Sequence, residues 1–169
     1  MSSAKKLEEA QFFLELLDAL VQRARPLTRS GDTAKEASYL FSAVMNSFYA
    51  TVVIMKEEED VNVEAFRQAN PEIYATIKNG GERAKTVHKG HTEVAMSGYI
   101  PPKGDSVNFD FRAQPLLIEE SRRPGHVDLV MGPNHYMYIE LQGKHVDVGD
   151  FCRQHFYKLK TFHAASTSC

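Results

Sequence analysis

The chain has 169 residues and a formal charge of −2, from 20 Lys and Arg against 22 Asp and Glu with histidines neutral. At 43% hydrophobic and 25% charged it has the composition of one ordinary domain with a sizeable core, far from that of disordered segments. The near-neutral balance excludes a basic architectural nucleic-acid binder, so any nucleic-acid contact must come from a local patch.

The first helix is expected over residues 5–25. Leu7, Ala10, Phe13, Leu14, Leu17, Leu20, Val21 and Ala24 recur at amphipathic spacing, and Pro26 ends the run. Ser30-Gly31-Asp32 is turn chemistry, and Thr33 with Glu36 three residues on reads as a capping box for a second helix reaching Glu57. Apolar and small residues wrap most of that helix, which predicts a central element packed on several sides. The acidic run 57–60 suits a solvated turn better than a helix C-terminus. A third helix over 63–78 is interrupted at Asn70-Pro71, and Asn79-Gly80-Gly81 breaks the chain again.

From Thr92 the period changes towards two. Segments 93–96 and 107–111 read as strands, with Pro101-Pro102-Lys103-Gly104 between them. The clearest hairpin joins 126–131 to 136–141 through Gly132-Pro133-Asn134, and Gly143 is expected to end the second of these strands. Asp147 is an N-cap candidate for a last helix whose Phe151, Cys152, His155, Phe156, Leu159 and Phe162 share an apolar face before the chain frays at 166–168. The expected fold is therefore α+β, mainly α. One domain spans 1–169, with a helical bundle from 5–91 and 146–163 and a β block at 92–142.

The longest continuous apolar run, 52–55, is far short of the roughly 20 residues a membrane helix requires. Acidic residues stand where a signal peptide needs its apolar core, and Cys152 and Cys169 cannot form a disulfide framework, so a cytoplasmic protein without a membrane partner is expected.

Three constellations could carry chemistry. In the first, Arg83, Lys85, His88, Lys89 and His91 crowd cations and potential cations just after the Gly-Gly break. In a helix starting near Glu82, Arg83 and His88 lie about 140° apart and can border one groove. Arg83 would anchor a phosphate and offset charge in a phosphorane-like transition state. His88 would take the proton of a neighbouring 2′-hydroxyl, and no metal or cofactor is required. The same residues also fit a solvated basic helix start.

In the second, Asp128 on one strand with Glu140, Gln142 and Lys144 on the next resembles the PD-(D/E)xK nuclease arrangement, in which carboxylates hold a divalent metal and a lysine assists water. Plain alternation of polar residues on a wet face explains Asp128 and Glu140 equally. In the third, His88, His91, Cys152 and His155 supply zinc-type ligands, although Cys152 and His155 more simply belong to the buried face of the last helix. His126, His135 and His145 read as surface residues, and Arg122-Arg123 as a basic loop able to extend a phosphate-tracking patch. Tyr39, Tyr49, Tyr74, Tyr136 and Tyr138 have core or half-core spacing.

The N-terminal helix, the wrapped helix containing residues 36–49, the stretch from Arg83 to Val87-His88-Lys89-Gly90 and the closing helix together resemble a HEPN-type (higher eukaryotes and prokaryotes nucleotide-binding) domain. The resemblance implies an up-and-down helical bundle, commonly a homodimer. Its active members are metal-independent endoribonucleases of toxin–antitoxin and antiviral systems that use an R-x-x-x-x-H motif. Arg83 and His88 fit that motif, while Ala84 stands where active members often carry a polar residue. The implied partners are a second copy, RNA, and an antitoxin or other protein. Non-catalytic relatives make a protein-interaction module the alternative, and a metal-dependent nuclease at Asp128, Glu140 and Lys144 the next.

Overall fold

Apolar stripes at helical spacing fold the first half of the chain into a long antiparallel helical hairpin. The computed structural model describes residues 2–23, 25–29, 31–76, 81–88, 92–98 and 135–167. Helix α1 spans Ser3–Arg23 and α2 spans Thr33–Glu57. They run antiparallel: Ser3 N–H donates to Glu59 Oε1 at 3.0 Å, and Ser47 Oγ reaches Glu9 Oε1 at 3.1 Å. Ala10, Leu14, Leu17 and Leu20 from α1 meet Phe41, Val44, Met45, Phe48, Val52 and Met55 from α2 in one buried cluster. Each of the larger side chains among them contributes about 1.5–3 kcal/mol by leaving water.

The start of α2 corrects the expected capping box. Asp32 is the N-cap, with extended backbone and a side chain that accepts from Lys35 N–H at 2.9 Å. Glu36 therefore sits one residue too late to close a box. Its carboxylate, buried, instead accepts from the backbone of Leu27 at 2.5 Å and of Thr28 at 3.0 Å, and from the Thr28 hydroxyl. It thus ties the loop after α1 to the head of α2. Glu36→Ala should lower stability by about 2 kcal/mol, read from the urea midpoint, because two backbone donors lose a charged acceptor.

The acidic run after α2 is partly a tether: Glu57, Glu58 and Asp60 are exposed, but Glu59 accepts from the N–H and hydroxyl of Ser3. The expected third helix is two short ones, α3 Glu64–Ala69 and α4 Pro71–Tyr74, with Pro71 opening the second, where its missing N–H costs nothing. Helix α5 spans Glu82–His88, starting at the expected residue.

Three short antiparallel strands follow in the order β1-β2-β3: β1 Ala95–Gly98, β2 His135–Leu141 and β3 Lys144–Asp147. Strand β1 starts two residues later than its expected place at 93. Val94 is buried, and its N–H donates to Ser38 Oγ on α2 at 2.9 Å. The expected strands 107–111 and 126–131 lie outside the described residues. Strand β2 ends at Leu141, just before the expected break at Gly143. Gln142 and Gly143 both have positive φ, 51° and 75°, making a two-residue turn into β3, an element the sequence reading missed.

Asp147 ends β3 and caps α6, Val148–Thr167, accepting from Asp150 N–H at 2.8 Å. Helix α6 lies against α1, α2 and the sheet, and α2 touches α1, α4, α5 and α6, the central position its wrapped apolar pattern predicts. By length and composition α2 could also cross a membrane, a property the longest continuous run conceals; more than half of that stretch is buried in the bundle.

Candidate functional site

A glycine and a buried acid place α5. Gly81 lies flush against the end of α4: a Cβ there would stand 2.0 Å from the carbonyl oxygen of Ala75. Glu82, fully buried, accepts from Lys85 Nζ at 2.5 Å and from Thr92 Oγ1 at 2.8 Å. The first turn of α5 is thereby fastened to the lead-in of β1.

So placed, α5 sets the half-buried Arg83 over helix α2, its guanidinium carbon 3.9 Å from the Tyr49 ring centroid. That is a close cation–π contact, which ties the guanidinium to the central helix, and its Nε is buried there. His88 is the last residue of α5, about 7.5 Å of helix rise and about 140° from Arg83. Ala84 is only 8% exposed, so it belongs to the packed side of α5 and cannot replace the polar neighbour of active HEPN members. Lys85 is committed to Glu82, which leaves it a weaker candidate for phosphate than its charge suggests. Lys89 and His91 lie outside the described residues.

Sequence reasoning missed a second cation on the same ring. Arg67, from α3, has its guanidinium carbon 6.0 Å from the Tyr49 centroid. No spacing rule could have found it, because Tyr49, Arg67 and Arg83 come from three different elements.

Behind Tyr49 lies a buried aromatic cluster. The Tyr74 ring is 6.4 Å from that of Tyr49, and the Tyr74 hydroxyl and His155 Nε2 are hydrogen-bonded at 2.9 Å. Phe48 and Phe66 flank the imidazole at 4.9 and 5.8 Å between ring centroids. Burial, helped by the nearby charge of Lys158, pushes the His155 pKa down to about 3, so the ring is neutral. Burial likewise raises the pKa of the Tyr74 phenol and of the Cys152 thiol, which keeps both protonated. His155 and Cys152 therefore serve as core residues of α6. Among the described residues, no three His, Cys, Asp or Glu side chains gather as a metal group.

The hairpin candidate does not assemble either. Asp128 lies outside the described residues, as do Arg122, Arg123 and His126. Glu140 stands opposite His145 across the β2–β3 pair, and Lys144 opposite Leu141. Opposed residues share a face and neighbours along a strand alternate, so Glu140 and Lys144 belong to opposite faces of the sheet. Gln142 is in the turn. His145 is exposed, as expected, and its ring packs on Tyr138 at 4.2 Å. Tyr49 is half-buried and Tyr74 buried, in line with their spacing. Tyr39 departs from it: the ring is 44% exposed beside an open cleft that Asp32, Lys35, Ser38 and Glu93 also line.

No family model, no curated protein and no solved structure matches this chain.

Proposed function

We propose that this chain is a cytoplasmic HEPN-like protein acting on RNA, as a metal-independent endoribonuclease or RNA-binding module of toxin–antitoxin or antiviral type. The observation that carries the reading is the guanidinium of Arg83, stacked 3.9 Å above Tyr49 at the head of the helix that ends in His88. A planar cation held against the central helix and a titratable imidazole on the same helix are the two groups that cleavage by a 2′-hydroxyl requires. In that reaction His88 takes the hydroxyl proton, the oxygen attacks phosphorus, and Arg83 offsets the charge that builds on the phosphate oxygens. The P–O5′ bond breaks and leaves a cyclic phosphate. The departing 5′-oxygen takes a proton from water or from the second histidine that a homodimer brings to the groove.

The test is cleavage of a mixed-sequence RNA at neutral pH with excess chelator. Wild type should give products ending in cyclic phosphate, while Arg83→Ala and His88→Ala should each lose at least about 100-fold in rate. Cleavage that appears only when magnesium or manganese is restored would overturn the assignment to Arg83 and His88. Silence from folded protein under both conditions would favour the non-catalytic interaction module, the reading that buried Ala84 supports.

A further inference from the structure

We propose that the outer edge of β3 is a dimerisation edge, on which two copies of this chain pair their β3 strands antiparallel about a two-fold axis at Val146. The pairing stands whether or not the chain cleaves RNA.

Among the described residues, β3 has a strand neighbour on one side only, because the sheet runs β1-β2-β3. Helix α6 leaves directly from the end of β3, but it touches β2 as well and shares the buried cluster with Met137 and Ile139. It therefore passes beneath the sheet and does not run along the outer edge. Lys144 and His145 are exposed, and Val146 and Asp147 half-buried.

The turn fixes which backbone groups the edge offers. A two-residue turn at Gln142-Gly143 makes its flanking residues, Leu141 and Lys144, a hydrogen-bonded pair, and such pairs alternate along an antiparallel ladder. Lys144 and Val146 thus direct their N–H and C=O to β2, opposite Leu141 and Ile139. His145 turns both of its groups outward, and Asp147 turns out its N–H. The Asp147 carbonyl opens α6 and keeps a second lone pair.

Only outward residues can oppose outward residues, so three registers are open. Asp147 opposite Asp147 sets two carboxylates together, and His145 opposite His145 sets Val146 against Lys144 on the other face. The remaining register places each His145 opposite Asp147 of the partner copy and the two Val146 side chains opposite each other. Every opposed pair is then complementary. The Tyr138 ring, 4.2 Å from that of His145, holds the imidazole on this face, between Glu140 of its own β2 and the incoming carboxylate. Lys144 falls opposite the first residue of α6 and limits the pairing to residues 145–147. So short an edge gives a weak, isologous dimer, with a dissociation constant of about 10–100 μM.

Sedimentation equilibrium of the full chain, up to about 200 μM, should show this dimer. His145→Pro removes an outward N–H and spares the β2–β3 bonds, so it should weaken the dimer at least about tenfold with an unchanged circular dichroism spectrum. If the proline variant folds poorly, His145→Asp, which faces the partner's carboxylate with another, should do the same. Cysteine cross-linking in a Cys169→Ser background reads the register, since the remaining Cys152 is buried. Opposed non-hydrogen-bonded residues have Cα atoms about 4.5 Å apart, within disulfide reach, so Val146→Cys should cross-link under mild oxidant. Lys144→Cys, whose two copies lie about 13 Å apart along the strands, should react at least about tenfold more slowly. A wild type that stays monomeric would overturn the proposal, including one that instead binds an extended peptide at this edge. So would a dimer indifferent to His145→Pro, or faster cross-linking at 144 than at 146.

Discussion

Gly81→Ala should be among the most damaging single substitutions available to this chain, lowering stability by about 3 kcal/mol or more. The added Cβ would stand 2.0 Å from the Ala75 carbonyl oxygen, 2.7 Å from its carbon and 3.0 Å from its nitrogen. These are backbone atoms, which cannot step aside as the tip of a side chain can, so the start of α5 must move. The contact is part of a continuous path, because Gly81 N–H donates to Thr76 O at 3.3 Å and Gly81 O accepts from Lys85 N–H at 3.1 Å. Moving Gly81 also pulls Glu82 from Lys85 and Thr92, stranding a carboxylate that has no solvent access in the native fold. The measurement is urea unfolding followed by circular dichroism. A loss below about 1 kcal/mol would show that α4 and α5 can separate freely. Gly149→Ala is the internal comparison. Its Cβ would meet Arg153 Nη1 at 3.0 Å, the far end of a flexible side chain, so it should be the milder change.

That contrast bears on the candidate site, because α5, the helix that carries Arg83 and ends at His88, is held by a close backbone approach and a buried acid. The arginine-to-histidine stretch was legible in the sequence through its spacing and the glycines before it. The support beneath it was not. Tyr49 reads from periodicity as a core or half-core residue of α2, and only the tertiary fold brings Arg67 and Arg83 to its ring. The same division runs through the fold. Helices α1, α2 and α6 and the Asp147 cap were legible because apolar spacing over five or more turns leaves few alternatives. Strand β3 was not, since Lys144-His145-Val146-Asp147 holds one apolar residue and its turn is Gln-Gly rather than the stronger Asn-Gly signal. The cap of α2 failed by one residue because Asp32 and Thr33 are both competent N-caps. The buried Glu36 decides between them only through its contacts with Leu27 and Thr28, which no local pattern announces.

The second large effect should appear on mild acidification. His155 is 2% exposed, bonded through Nε2 to Tyr74, and has no hydrogen-bond partner at Nδ1 among the described residues. Its folded pKa, about 3, lies below the ordinary histidine value of 6.5, so the unfolded chain binds the proton first. Stability is therefore full above pH 6.5 and falls below it, by about 1.4 kcal/mol per pH unit, until the folded ring itself titrates near pH 3. By pH 5 the loss should be about 2 kcal/mol relative to pH 7. Glu9 and Glu59, whose pKa values are lowered chiefly by hydrogen bonds from Lys6 and Ser3, lose their contributions only in the carboxylate range below this window. Asp18 acts in the opposite sense, since burial raises its pKa against the pull of Arg153 and its protonation favours the fold. Urea midpoints at pH 7 and pH 5 should thus separate wild type from His155→Gln, which cannot titrate but can still bond the Tyr74 hydroxyl. The variant should lose less than half as much over that interval. Equal losses would mean that the folded chain accepts the proton at His155 as readily as the unfolded one.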